Sequence, residues 1–243
     1  MRDLTLDRSL RRDDKGEKVR LVQEWLSLHG FGVVPDGGFG PATEAAVRAF
    51  QRKRGLVDDG VVGPKTFDGL VAPMRGVLEP LKPMGTLGAT VVAYAKRHLL
   101  AKPREVGGEN CGPWVRLYMA GKEGKEFAWC AGFACFLLKQ ACDAYGASMP
   151  IKASVSCDSL AASAREKKVF VPGGSVITGS ITAGSFFLNR RSPSDWTHVG
   201  IVLQATPESF STIEGNTNDE GSREGYEVCA RTRGYDQKDF IRI

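Results

Sequence analysis

The chain has no apolar run approaching the roughly 20 residues that span a bilayer. It also has no Cys-x-x-Cys pair, no His-Glu-x-x-His and only three histidines, His29, His98 and His198. Each absence removes a class of protein. No transmembrane helix and no membrane insertion are expected. Without a thiol or imidazole cluster at ligand spacing, neither a metal site nor another cofactor is expected. Residues 1–16 are charged throughout and lack the apolar segment of a secretory signal. The expectation is therefore a product made in the cytoplasm, which reaches a target beyond the membrane only after release or delivery. Charge of one sign is scarce as well. The net charge is +5, and the 12 basic and 11 acidic residues of 1–72 leave 21 against 17 for the rest. That excess suits an anionic partner but is too small and dispersed for nucleic acid.

What is present is ordinary globular material: 243 residues, 42% hydrophobic and 25% charged, enough for one large domain or two unequal ones. Cysteines occur at 111, 130, 135, 142, 157 and 229. The chain is too long and core-rich to need a disulfide scaffold, so at least four should be small buried hydrophobes.

An internal repeat stands out early. Asp36-Gly37-Gly38-Phe39-Gly40-Pro41-Ala42-Thr43 recurs 23 positions later as Asp59-Gly60-Val61-Val62-Gly63-Pro64-Lys65-Thr66. Each copy reads as a turn followed by a helix start, with glycine supplying a positive φ and proline at the first helical turn. Apolar stripes follow: Ala46, Val47 and Phe50, then Phe67, Leu70 and Val71. A third stripe, Val19, Val22, Trp25 and Leu26, precedes them. Residues 1–72 thus predict a three-helix module. With Gly16-Glu17-Lys18-Val19, Leu28-His29-Gly30-Phe31 and Val47-xx-Phe50-Gln51, this module resembles the peptidoglycan-binding domain of many wall hydrolases. The resemblance implies a part that grips the wall, with peptidoglycan as partner, and does no chemistry. The Pro- and Gly-rich residues 73–86 read as a linker.

From residue 87 the pattern restarts. Helices are expected over 89–100, around 114–119 and over 130–145. Short strands should follow at 175–178, 197–204, 209–214, 226–230 and 240–243. Helices first and antiparallel strands afterwards indicate an α+β domain.

Cysteine catalysis needs a thiolate, a base that forms it and a group that orients the base. Cys130 opens the 130–145 helix, whose Phe133, Leu137, Ala141 and Ala144 form one stripe. There the thiolate would feel the helix dipole and unpaired N–H groups, whereas Cys135 and Cys142 sit too deep in the helix. His198 is the only histidine after Cys130. Alternation puts Val199, Ile201 and Leu203 on one face and His198 on the other, exposed one. If 209–214 returns as a hairpin around Thr206-Pro207 with Ile213 in the core, opposed positions sum to 412 or 414. The first opposes His198 to Glu214, the second to Asn216. Either brings a polar group beside the imidazole.

Glu105-Val106-Gly107-Gly108-Glu109-Asn110-Cys111-Gly112-Pro113, Phe127-Ala128-Trp129-Cys130-Ala131, Thr197-His198-Val199-Gly200-Ile201-Val202 and Ile213-Glu214-Gly215-Asn216 together resemble a CHAP domain. These are papain-like cysteine, histidine-dependent amidohydrolases and peptidases, and the resemblance covers residues 87 to 243. It implies Cys130 as nucleophile, His198 as general base, Glu214 as third member and Asn216 as a polar partner. Trp129, Trp196 and Asn110 become candidate substrate contacts. The acidic calcium loop of some relatives is missing, which again implies no metal. The whole chain then resembles a bacteriophage endolysin or similar wall hydrolase, acting as a monomer on an amide bond of peptidoglycan. A bacterial effector delivered to rival cells would carry the same chemistry. A glycosidase using Glu105 or Glu109, or a non-catalytic wall-binding protein, are the contrasting alternatives.

Overall fold

The computed structural model describes residues 2–175, 179–218 and 225–243. Seven helices of these residues are α1 (Glu17–Leu28), α2 (Pro41–Lys53), α3 (Pro64–Leu78), α4 (Leu87–Ala101), α5 (Pro113–Tyr118), α6 (Cys130–Tyr145) and α7 (Cys157–Glu166). Six strands are β1 (Phe170–Val171), β2 (Phe186–Ser192), β3 (Asp195–Ala205), β4 (Phe210–Thr217), β5 (Glu227–Arg233) and β6 (Lys238–Ile241). The fold is α+β. The chain divides into two compact units: Met1–Glu79 with Arg104–Leu117 and Glu123–Lys125, and Pro80–Pro103 with Tyr118–Lys122 and Glu126–Ile243.

The first unit is a helical module built on α1 to α3, and its repeat is a repeat of hydrogen bonds. The Gln23 amide donates to Asp36 Oδ1 (2.8 Å), the Gly38 carbonyl (3.0 Å) and Thr43 Oγ1 (3.0 Å), and accepts from the Gly37 N–H (2.8 Å). The Gln51 amide does the same with Asp59 Oδ1 (2.9 Å), the Val61 carbonyl (2.9 Å), Thr66 Oγ1 (3.1 Å) and the Gly60 N–H (2.9 Å). Both glutamines are buried, so each turn is stapled to the preceding helix by an amide whose polar atoms are satisfied. Gly37 and Gly60 hold φ of 77° and 75°, the left-handed turn that the repeat requires. Val19, Val22, Leu26, Val47, Phe50, Phe67, Leu70 and Val71 fill the space between the helices.

Proline content misleads at the end of this module. The third helix runs through Pro73 to Leu78, so residues 73–78 are helical where a linker is expected from composition. Val77 and Met74 are fully buried there; their burial outweighs one missing N–H. Arg104–Leu117 also belongs to this unit. Arg116 is ion-paired with Asp3 (2.9 Å), Glu24 (2.7 Å) and Glu123 (2.6 Å), and Trp114 packs edge-on against Trp25.

The second unit carries a six-stranded antiparallel sheet in the order β1-β6-β2-β3-β4-β5. β1, β2 and α7 have no counterpart in the expectations from sequence. Gly173–Ser175 forms a 3-10 turn, and the rest of the strand expected at 175–178 lies outside the described residues. Ile181, Phe187, Val202, Phe210 and Phe240 form one buried cluster on the sheet. All six cysteines are free thiols, five of them buried.

Candidate active site

Cys130 is the first residue of α6, as expected, and the helix ends at Tyr145 with Gly146 in the left-handed conformation. It is 5% exposed. His198 lies on β3, but not on an exposed face. Both faces of the strand are covered between Trp196 and Val202, and the imidazole is only 6% exposed. β3 is a central strand with β2 on one side and β4 on the other, so alternation alone cannot mark a solvent face.

The hairpin turns at Thr206-Pro207, where the Thr206 N–H donates to the Ser209 carbonyl at 2.8 Å. Its ladder pairs Ile201 with Ile213 and Val202 with Thr212, the register that sums to 414, before a bulge toward the turn. In that register Glu214 faces Gly200 rather than His198. Yet His198 Nε2 is bonded to Glu214 Oε2 at 2.8 Å. Gly200 resolves the mismatch: a Cβ there would lie 2.6 Å from Glu214 Cγ and 2.6 Å from Phe187. The bare backbone leaves the gap through which Glu214 reaches diagonally to the imidazole. Asn216 is buried beyond it, with φ 55° and an Oδ1 that has no hydrogen-bond partner.

Glu214 is held from three more directions. Arg233 of β5 donates Nε to Oε1 (2.9 Å) and Nη2 to Oε2 (2.6 Å), a bidentate pair, and the Thr212 hydroxyl donates to Oε1 at 2.6 Å. Burial alone would raise the carboxyl's pKa, but Arg233 and then His198 bring it down to about 2. Glu214 is therefore an ionised acceptor, which assigns the ring proton to Nε2. Nδ1 is buried and makes no hydrogen bond, leaving it as the nitrogen that can serve the thiol. Burial works against a charged imidazole, but Cys130 and Glu214 outweigh it and raise the His198 pKa to about 9. The Cys130 pKa lies well below the usual thiol range. A hydrogen bond from the Cys157 thiol, 4.0 Å away, is the largest cause; burial opposes it, and His198 and the Val199 backbone add to the lowering. No hydrogen bond joins the imidazole Nδ1 to the thiol in this geometry, as is common before a substrate closes an active site. Both shifts run in the direction that favours a thiolate–imidazolium pair.

The three candidate substrate contacts fare differently. Trp129 is fully buried and stacked on Tyr118 with centroids 5.5 Å apart. Trp196 is buried too, its indole N–H donating to Asp239 at 2.8 Å and its backbone N–H to Asp158 at 2.7 Å. Neither indole presents a face for a ligand; both are spent on packing. Asn110 belongs to the first unit, buried at φ 51°, with its amide donating to the Lys125 carbonyl at 3.0 Å and its N–H to Glu105. That bond occupies one of the two carboxylates considered for a glycosidase.

Arg233, Thr212 and Cys157 are absent from the sequence reading. β5 pairs Glu214 with Cys229, Thr212 with Arg231 and Phe210 with Arg233. Extending the strand expected at 226–230 by three residues would have put Arg233 on the Glu214 face. For Cys157 the signal is Ser156, which caps α7 by accepting from the Ser159 N–H, ahead of the apolar Leu160, Ala161 and Ala164.

Comparison with known proteins places the first unit. Residues 15–70 match the family described as "Putative peptidoglycan binding domain". Two curated proteins match part of the chain. An uncharacterized protein in the bpoA1 3′ region of Kitasatospora aureofaciens is 46% identical over 65 residues, 26% of this chain and 55% of its own. The zinc D-Ala-D-Ala carboxypeptidase of Streptomyces albus G is 43% identical over 63 residues, 25% of each. The chain thus spans about half and a quarter of the length of these relatives. Among solved structures, the SleB N-terminal domain is 40% identical over 28% of this chain and 93% of its own, with a TM-score of 0.27. The Burkholderia AP3 phage endolysin is 35% identical over 38% of this chain and 33% of its own, with a TM-score of 0.26. The chain carries a peptidoglycan-binding domain, which supports a function related to the cell wall.

Proposed function

We propose that the second unit is a papain-like cysteine hydrolase that cleaves an amide bond of peptidoglycan while the first unit holds the chain on the wall. One observation carries the reading: the orientation of His198. With Glu214 fixing Nε2 at 2.8 Å, the free nitrogen of the imidazole is the one left for the thiol of Cys130, at the start of α6. Nucleophile, base and orienting carboxylate are the three parts that acyl transfer requires.

The Cys130 thiolate attacks the amide carbonyl. N–H groups of the first turn of α6 stabilise the developing oxyanion. The His198 imidazolium protonates the leaving amine, and the neutral ring then takes a proton from the water that releases the acyl-enzyme. Throughout, Glu214 keeps the ring oriented and its positive charge balanced. Arg233 and Thr212 keep Glu214 ionised and in place. Along the sequence, 1–72 serves wall binding and 87–243 CHAP-like hydrolysis with no metal or other cofactor, although Arg104–Leu117 and Glu123–Lys125 of the latter range pack in the first unit. A phage endolysin uses such a pairing to open its host's wall, and we favour that role.

The test is digestion of purified peptidoglycan followed by mass spectrometry of the fragments. New amino groups at the N-acetylmuramoyl–L-alanine bond, or within the stem or cross-bridge peptide, are expected. New reducing sugar ends without new amino groups would overturn the reading in favour of a glycosidase.

A further inference from the structure

Cys130 and Cys157 open two different helices, α6 and α7, and their sulfurs stand 4.0 Å apart with both side chains buried. The hydrolytic mechanism needs only one of them. A disulfide bond is about 2.0 Å long, so joining the pair asks each sulfur to move about 1 Å. The third thiol nearby is a poor rival. Cys135 lies one turn deeper in α6, donates to the Ser154 carbonyl at 3.3 Å, and has its pKa lifted to about 11 by burial. The contact therefore sets a thiol whose pKa is lowered against one whose pKa is raised, chiefly by their mutual hydrogen bond. That is the arrangement in which a first oxidation on one sulfur is captured by the other.

We infer that Cys130 and Cys157 form a reversible oxidation site, at which a peroxide converts the two thiols into a disulfide that blocks and shields the nucleophile. This rests on the reading of Cys130 as the nucleophile. The Cys130 thiolate attacks one oxygen of hydrogen peroxide, the O–O bond breaks, and the departing hydroxide takes up a proton to become water. Cys130 is left as a sulfenic acid. The Cys157 sulfur gives up its proton and attacks the sulfenic sulfur. The S–S bond forms as the S–O bond breaks, and a second water leaves. The two thiols are oxidised by two electrons and the peroxide is reduced to two waters. A small dithiol reverses the change by thiol–disulfide exchange. Because Cys157 is already in contact, the sulfenic acid is trapped before further peroxide can carry it to the irreversible sulfinic acid.

The experiment treats the full-length protein with hydrogen peroxide, blocks remaining thiols with iodoacetamide, and maps the peptides by mass spectrometry without reduction. Activity on purified peptidoglycan is followed before oxidation, after it, and after dithiothreitol. The expected result is a Cys130–Cys157 cross-linked peptide, loss of activity and its recovery with dithiothreitol. In Cys157→Ser the same treatment should leave Cys130 as sulfinic acid, which dithiothreitol does not reverse. If that variant does not fold, the wild-type peptide map decides alone. Cys130 recovered as sulfinic acid with Cys157 still alkylated overturns the inference. A cross-link in a protein that does not act on peptidoglycan when reduced would uphold the oxidation site and overturn the hydrolase reading, so the two failures are distinct.

Discussion

At the scale of the residue, the account rests on side chains whose charge is set by one or two neighbours. His198 owes its raised pKa partly to Glu214. In the proposed mechanism the imidazolium gives a proton to the leaving amine, so hydrolysis should fall as pH rises through about 9. In Glu214→Gln the charge that favours imidazolium is gone. The alkaline limb should shift to lower pH, with the rate down by about 10²-fold or more. An unchanged pH profile would argue against Glu214 as the orienting group. His98 is the opposite case. It is fully buried, with Nδ1 accepting from the Tyr118 hydroxyl (2.8 Å) and Nε2 donating to Gln140 Oε1 (3.0 Å). Burial lowers its pKa to about 4. The unfolded chain therefore binds the proton first as pH falls. Stability from neutral His98 is complete above about 6.5 and is lost toward about 4, a difference of about 3 kcal/mol. Urea unfolding at pH 7 and pH 4.5 should show most of that loss in wild type and less of it in His98→Gln.

Elements decide which residues meet. Much of this was legible in advance: α6 begins and ends at the residues its stripe and Gly146 imply, and the hairpin falls at Thr206-Pro207. Core packing of Ile213 narrowed the register to two values, and the observed one is 414. What alternation could not supply was the diagonal reach from Glu214 to His198, which depends on the absence of a side chain at Gly200. Gly200→Ala should displace Glu214 or Phe187. The cost should be about 1–3 kcal/mol, with hydrolysis reduced well beyond what the stability loss explains. A fully active, destabilised variant would contradict this. α7 stayed invisible because its stripe is short and dominated by alanine, and Cys157 was hidden with it. β5 was legible in position but cut short, so Arg233 was missed. In the first unit, the repeated turn was plain in sequence. The stapling glutamines were not, because Gln23 and Gln51 sit 28 residues apart while the turns are 23 apart. Gln23→Ala and Gln51→Ala should each cost about 1–3 kcal/mol, since each leaves a turn glycine N–H unpaired, half-buried at Gly37 and buried at Gly60. Comparable drops in denaturation midpoint would support the equivalence of the two staples.

On the scale of the whole molecule, the proposed function divides the work between the two units. One is a peptidoglycan-binding domain; the other holds the Cys130, His198 and Glu214 cluster. Cys130→Ala should therefore retain sedimentation with purified wall sacculi while losing all digestion. Loss of binding in that variant would mean that the units are not separable in function. Sequence composition suggested a boundary at residues 73–86. Contacts assign Arg104–Leu117 to the first unit instead, because Arg116 and Trp114 find their partners there. No local pattern could have announced such a return of the chain.

The most direct test of the central claim is the rate at which Cys130 is alkylated by iodoacetamide as a function of pH, read by peptide mapping in wild type and in His198→Ala. In wild type the rate should already be at its plateau well below about 8.5, the ordinary thiol pKa, and in His198→Ala it should require a distinctly higher pH. Coincident profiles in the two proteins would contradict the account.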